Sequence, residues 1–155
     1  MLGEVLTGIH HIGSTSVPGL AAKPVIDLMP VADDIARIDA CTRKLQESGY
    51  YLWGEYGLPG RRLFTRDAGG VRTHNLHFYP AGHADIERHL AFRDYLRAHA
   101  SIRDDYAAVK RASYAQHPAD IAAYNAGKND WIKRTEQAAL LWFRAGGGKI
   151  AAGTS

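Results

Sequence analysis

The chain has a single cysteine, Cys41, in 155 residues. It cannot close an internal disulfide, which fits a reducing compartment, and a cytoplasmic location is the expectation. No apolar run approaches the roughly 20 residues of a membrane-spanning helix. Residues 1–8 also lack the basic start and long apolar middle of a secretion signal. No dense basic stripe is present either. The net charge is +3 and the pI about 9.1, but the lysines and arginines are interspersed with acids. A duplex-binding face needs more than that, so nucleic acid is not the expected partner and small anionic ligands fit better. Repeats and internal linkers are absent. With 46% hydrophobic and 23% charged residues, the chain can bury one sizeable core. The expectation is a single domain over residues 1–145, followed by a glycine-rich tail over residues 146–155 that stays disordered. Oligomeric state is not legible.

What is present centres on residues 13–28, GSTSVPGLAAKPVIDL. Gly13 permits a tight bend, and the hydroxyls of Ser14, Thr15 and Ser16 can join backbone N–H groups around an anion. Asp27 lies inside Val25-Ile26-Asp27-Leu28-Met29, a run that otherwise reads as a buried strand. A carboxylate there is costly unless a metal, a cation or hydrogen bonds compensate it. A purely structural reading also stands: Ser14 caps a helix and Asp27 pairs with Lys23 or an arginine.

Taken in order, residues 5–12 read as a first strand, with His10 and His11 on opposite faces because side chains alternate. One imidazole therefore points to the Asp27 side, and His11 is taken as that one. Pro24 is tolerated at the start of the second strand. Asp33 and Asp34 cap the next helix, Ile35, Ile38 and Leu45 form its apolar stripe, and Gly49 ends it. Residues 50–55 and 63–66 read as the third and fourth strands. Between them, Gly57-Leu58-Pro59-Gly60-Arg61-Arg62 is expected to set two guanidiniums side by side, suited to phosphate. After a turn at residues 67–70, the fifth strand spans residues 73–79. Asn75, His77 and Tyr79 share one of its faces, Leu76 and Phe78 the other. His74 and His77, three apart, face opposite ways and cannot share one metal ion without distortion. Helices follow at residues 84–99, from a Ser101–Asp104 capping box to His117-Pro118, and from an Asp120 cap onward. On the last, Lys128 is the odd member of a stripe with Tyr124 and Trp131, and Gly127 points either to a close approach to the backbone or to a simple bend. Strands first and helices second argue an α+β fold: a mixed sheet of about five strands, helices packed on it, and a helical C-terminal half.

The words HIGSTSVPGLAAKPVIDL, GLPGRRLF, RTHNLHFY, IERHLAFRDYLRAH and YNAGKNDWI, in this order, resemble the GrpB family from about Ile9 to about Arg144. That family commonly has more residues before the first strand, so the short start implies a truncated piece or a lineage without that lead helix. The resemblance implies a nucleotidyltransferase-like fold. In that superfamily a Gly-Ser turn follows the first strand and two acids stand one residue apart on the second. Gly13-Ser14 matches the turn and Asp27 the first acid, whereas Met29 occupies the second place.

On this resemblance the phosphates of a nucleotide, ATP for instance, lie on the turn formed by Gly13, Ser14, Thr15 and Ser16. Asp27 holds one Mg²⁺ ion at most, since two-metal transfer needs several carboxylates. Lys23, Arg61, Arg62 and Lys128 neutralise phosphate charge, with His11, Asn75 and Tyr124 as further ligand contacts. His77 serves as the base toward an acceptor hydroxyl. Two alternatives remain open. The same pocket can bind a small anion, or do acid–base chemistry on it, without nucleotidyl transfer. The domain can also be a non-catalytic partner module, since the resemblance extends to chains in which such a domain is fused behind a dephospho-coenzyme A kinase.

Overall fold

A computed structural model describes residues 2–147 of the chain. Among the described residues, five strands and four α-helices follow in the order β1 (Leu6–Ile12), β2 (Ile26–Ala32), α1 (Ile35–Glu47), β3 (Tyr50–Gly54), β4 (Arg62–Ala68), β5 (Val71–Pro80), α2 (Ala84–Ala98), α3 (Ala100–Gln116) and α4 (Ile121–Arg144). This is the α+β arrangement expected, with a helical C-terminal half. The chain divides into two compact units, one of Met1–Ser16 with Ala22–Ile86 and one of Val17–Ala21 with Glu87–Ser155. Of the expected disordered tail, residues 148–155 lie outside the described residues.

The first unit is a mixed sheet in the order β1-β2-β5-β4-β3. Only β2 and β5 run parallel; the other neighbours are antiparallel. Parallel neighbours require a crossover, and α1 lies in the one that joins β2 to the rest of the sheet. Asp34 caps α1 by accepting from the Ala36 N–H at 2.9 Å. Ile38 and Leu45 of α1 bury against Phe64, Leu76, Phe78 and Ala32, forming the core on one face of the sheet. Phe64, Phe78 and Ile38 are fully buried, each contributing about 1.5–3 kcal/mol by removal from water. The alternation of β5 then turns Asn75, His77 and Tyr79 to the opposite face.

The second unit is helical. Val17 and Leu20 pack with Leu96 and Tyr106, and Phe92, Ile102, Trp131 and Ile132 surround them. Trp131 stacks flat on Tyr106, with centroids 5.0 Å apart. Asp120 caps α4 by accepting from the Ala123 N–H at 3.0 Å. The expected Ser101 cap does not form: α3 begins at Ala100, with His99 at the cap position and no side-chain cap bond. The short, one-residue link from α2 leaves Ser101 already inside the helix.

Gly127 is where α3 and α4 meet. A Cβ there would lie 2.6 Å from Ser113 Oγ, and that hydroxyl is held in place by donating to the Tyr124 carbonyl at 2.7 Å. Helix propensity alone favours alanine over glycine by about 1 kcal/mol. The clash opposes it and should win, so Gly127→Ala is expected to destabilise the protein by about 1–3 kcal/mol in urea unfolding. Adding Ser113→Ala, which removes the clashing oxygen, should recover part of the loss. A stabilised single variant would contradict the close approach.

Candidate functional site

On the sheet face opposite α1, the β2–β5 pair sets Asp27 directly beside Asn75. The Asp27 Oδ1 accepts from Asn75 Nδ2 at 2.9 Å and from His77 Nε2 at 3.0 Å. These two donors compensate the carboxylate that the strand would otherwise bury at a cost. Lys23 is not its partner; it is exposed in the connector ahead of β2. Gly13, at the end of β1, lies against the other oxygen: a Cβ there would come within 2.7 Å of Asp27 Oδ2. Gly13 also has φ +74°, so both its backbone and its missing side chain are required.

Behind His77 stands Arg61, only 7% exposed. Its Nη1 lies 3.5 Å from His77 Nδ1, its Nη2 donates to the Tyr56 carbonyl at 2.8 Å, and its Nε donates to the Glu55 carbonyl at 3.2 Å. A guanidinium can only donate, so Nδ1 is the accepting nitrogen of this imidazole and Nε2 carries the hydrogen offered to Asp27. Arg61, His77, Asp27 and Asn75 thus form one hydrogen-bonded chain across β4, β5 and β2.

Arg62 does not stand beside Arg61. It opens β4 opposite Phe78, on the α1 face, and makes a two-pronged bond to Asp39 at 2.7 and 3.1 Å. That hydrogen bond to Asp39 is the main cause raising its pKa above the ordinary arginine value. Successive residues at a strand start point to opposite sides, which separates the two guanidiniums. The same alternation corrects the histidine choice. His11 pairs with Leu28 on the α1 face, and its Nε2 is 2.9 Å from Thr15 Oγ1; His10 pairs with Met29 and shares the Asp27 face.

The turn at Ser14–Ser16 is a single 3₁₀ turn. Ser16 is buried and its hydroxyl donates back to the Gly13 carbonyl, while Thr15 Oγ1 donates to the Val25 carbonyl at 3.4 Å. Both hydroxyls brace the bend; Ser14 is half-buried beside them. Tyr124 and Lys128 belong to α4 in the helical unit, where the Lys128 ammonium lies over the Tyr124 ring at 4.6 Å. In that unit Lys110 sits over the Tyr106 ring, and burial, with the Lys128 charge second, lowers its pKa from the ordinary amine value.

Asp27 is the one acid of the cluster, because Met29, in the place of a second acid, is fully buried. Among the described residues no group of three or more His, Cys, Asp or Glu could hold a metal ion. A two-metal centre therefore does not fit this donor set. A single Mg²⁺ fits only with Asp27 as its protein ligand and ligand phosphates and water supplying the rest.

A family model described as GrpB protein matches residues 1–138. The chain belongs to the GrpB family. It is 45% identical over 142 residues to the UPF0157 protein YqkA of Bacillus subtilis, covering 92% of this chain and 41% of that protein. It is 28% identical over 165 residues to a dephospho-CoA kinase of Mycolicibacterium paratuberculosis, covering 91% of this chain and 40% of the kinase. The chain thus spans less than half the length of these two curated relatives. Among solved structures, GrpB from Enterococcus faecalis matches with a TM-score of 0.86 and 39% identity, over 92% of this chain and 85% of that one.

In this GrpB-family chain, sequence reasoning missed His10, whose face only the β1–β2 register reveals. It also missed the aromatic side chains Tyr51 and Trp53 of β3, which their contacts with Thr65 set on the Asp27 face. Gly13→Ala tests the contact between bend and carboxylate. The strained φ and the overlap with Asp27 together are expected to cost about 1–3 kcal/mol in urea unfolding. An alanine variant as stable as the parent would contradict the geometry.

Proposed function

We propose that the domain binds a phosphate-bearing, nucleotide-type ligand at the Asp27–His77 cluster, with one Mg²⁺ ion at most, and transfers a nucleotidyl group to a small acceptor. The observation that carries this reading is the placement of Asp27. An acid on the second strand, packed on the bend that ends the first, resembles the nucleotidyltransferase arrangement, and its second oxygen is not used by Asn75 or His77. Mg²⁺ held there would offer Lewis acidity to a phosphoryl oxygen. Asn75 and His77 fix the carboxylate rotamer, and Arg61 fixes the imidazole. His77 has both ring nitrogens engaged within the protein, so it acts here by positioning Asp27 rather than as the base toward an acceptor.

A second reading is favoured by Met29: a cluster with one acid binds a small anionic ligand without nucleotidyl transfer. Thermal shift separates the two. At a hundred-fold excess over its dissociation constant, a ligand adds about 2.7 kcal/mol, a rise of several degrees in Tm for a domain of this size. MgATP is expected to produce such a rise, Asp27→Asn to abolish it, and ATP with a chelator to give much less. An equal rise without metal would favour the second reading. No response to ATP, inorganic phosphate or other small anions would overturn both.

A further inference from the structure

β3 and the loop after it carry an aromatic ladder that the site described so far does not use. Tyr51, Trp53 and Tyr56 are 62%, 43% and 64% exposed. Their rings meet edge to face, with centroids 4.9 Å apart for Tyr51–Trp53 and 5.4 Å for Trp53–Tyr56. Edge-to-face contact is a favoured aromatic geometry, and all three rings keep much of their surface exposed.

The ladder stands on the Asp27 face. Tyr51 pairs with Thr65, and Thr65 pairs with Asn75. Trp53 Nε1 donates to Thr65 Oγ1 at 2.8 Å, which fixes the indole over the same face. Strands are spaced by about 4.8 Å, so β3 lies about 10 Å from β5 and about 14 Å from β2 across the sheet. That is a reach suited to the sugar and phosphates of a nucleotide.

The far end of the ladder is held under backbone strain. Tyr56, at φ 46°, is the one non-glycine with positive φ among the described residues. For a bulky aromatic residue this is a conformation that the surroundings must impose. Arg61 helps to hold it, since the side chain that meets His77 also grips the Tyr56 carbonyl, and the Leu58 N–H closes the turn on the Glu55 carbonyl at 3.2 Å. Gly60 N–H further ties the loop to Glu55 Oε2 at 2.6 Å. One arginine therefore touches both the polar cluster and the backbone that carries the aromatic ring.

We propose that Tyr51, Trp53 and Tyr56 form the stacking platform for a planar heteroaromatic ring, a nucleobase, on the ligand whose phosphates lie at the Asp27 cluster. The proposal rests on the phosphate reading for the second half of that ligand. A small planar guest suits the dimensions better than a macromolecule. The other exposed large apolar side chains of the sheet unit are Ile9, Ile26 and Val71. Register places Ile9 and Ile26 on the α1 face and Val71 at the β4–β5 turn. Three rings are enough to hold a base but fall short of the roughly 800 Å² per partner of a stable protein interface.

Calorimetric titration with ATP, adenosine and inorganic tripolyphosphate, each in the presence of Mg²⁺, tests this. In the parent protein ATP should bind more tightly than tripolyphosphate. Trp53→Ala should weaken ATP about tenfold or more and leave tripolyphosphate unchanged. Tyr56→Gly serves as the second variant, because it removes a ring while relieving the strained φ, and it should weaken ATP likewise in a folded protein. Tripolyphosphate binding as tightly as ATP, or ATP unaffected by both variants, would overturn the platform and leave the phosphate reading in place. Adenosine binding without tripolyphosphate binding would support the platform and overturn the phosphate reading. No binding of any of the three would overturn both. Sedimentation showing self-association that Tyr51→Ser abolishes would assign the ladder to a second copy of the chain instead.

Discussion

A carboxylate on an inner strand of a sheet has few ways to exist. Left without donors, the half-buried Asp27 would destabilise the sheet. The sheet solves this locally: β5 runs parallel to β2 and brings Asn75 and His77 to one carboxylate oxygen, while Gly13, lacking a side chain, leaves room beside the other. That solution constrains the rest of the first unit. It needs the β2–β5 register, because a slip of one residue would exchange Asn75 and His77 for Leu76 and Phe78. It needs a residue without a side chain at position 13. It also needs Arg61 behind His77 to fix which ring nitrogen carries hydrogen.

Arg61 links regions that would otherwise be independent. It is among the few buried polar side chains, and its three contacts go to two loop carbonyls and one imidazole. A lysine has one ammonium and cannot span them. The loop after β3 is therefore not a passive connector. One guanidinium touches its backbone at Glu55 and Tyr56 and the imidazole of His77. Arg62, adjacent in sequence, ties the sheet to α1 through Asp39 and serves the architecture. The pair reads as a phosphate clamp in one dimension and divides into two tasks in three.

Much of this was legible from residue order. Alternation along residues 73–79 places His77 and Asn75 away from the core, Asp34 and Asp120 announce their helices, and Gly127 announces a close contact. The errors share a cause. Choosing His11 over His10, or setting Arg61 beside Arg62, requires knowing which face a residue takes, and that depends on pairing with a strand distant in sequence. Ser101 has the chemistry of a cap, but the one-residue link between α2 and α3 moves the helix start ahead of it. The aromatic ladder went unread because Tyr51 and Trp53 are ordinary strand formers, and only their shared partner Thr65 shows that they border the site.

The hydrogen-bonded chain from Arg61 through His77 to Asp27 is most directly tested by nitrogen-15 NMR of the His77 side chain. The account predicts a single tautomer near neutral pH, with hydrogen on Nε2 and a bare Nδ1, and a shift of both ring nitrogens when MgATP is added. Hydrogen on Nδ1 in the free protein, or ring signals that ignore the nucleotide, would contradict it.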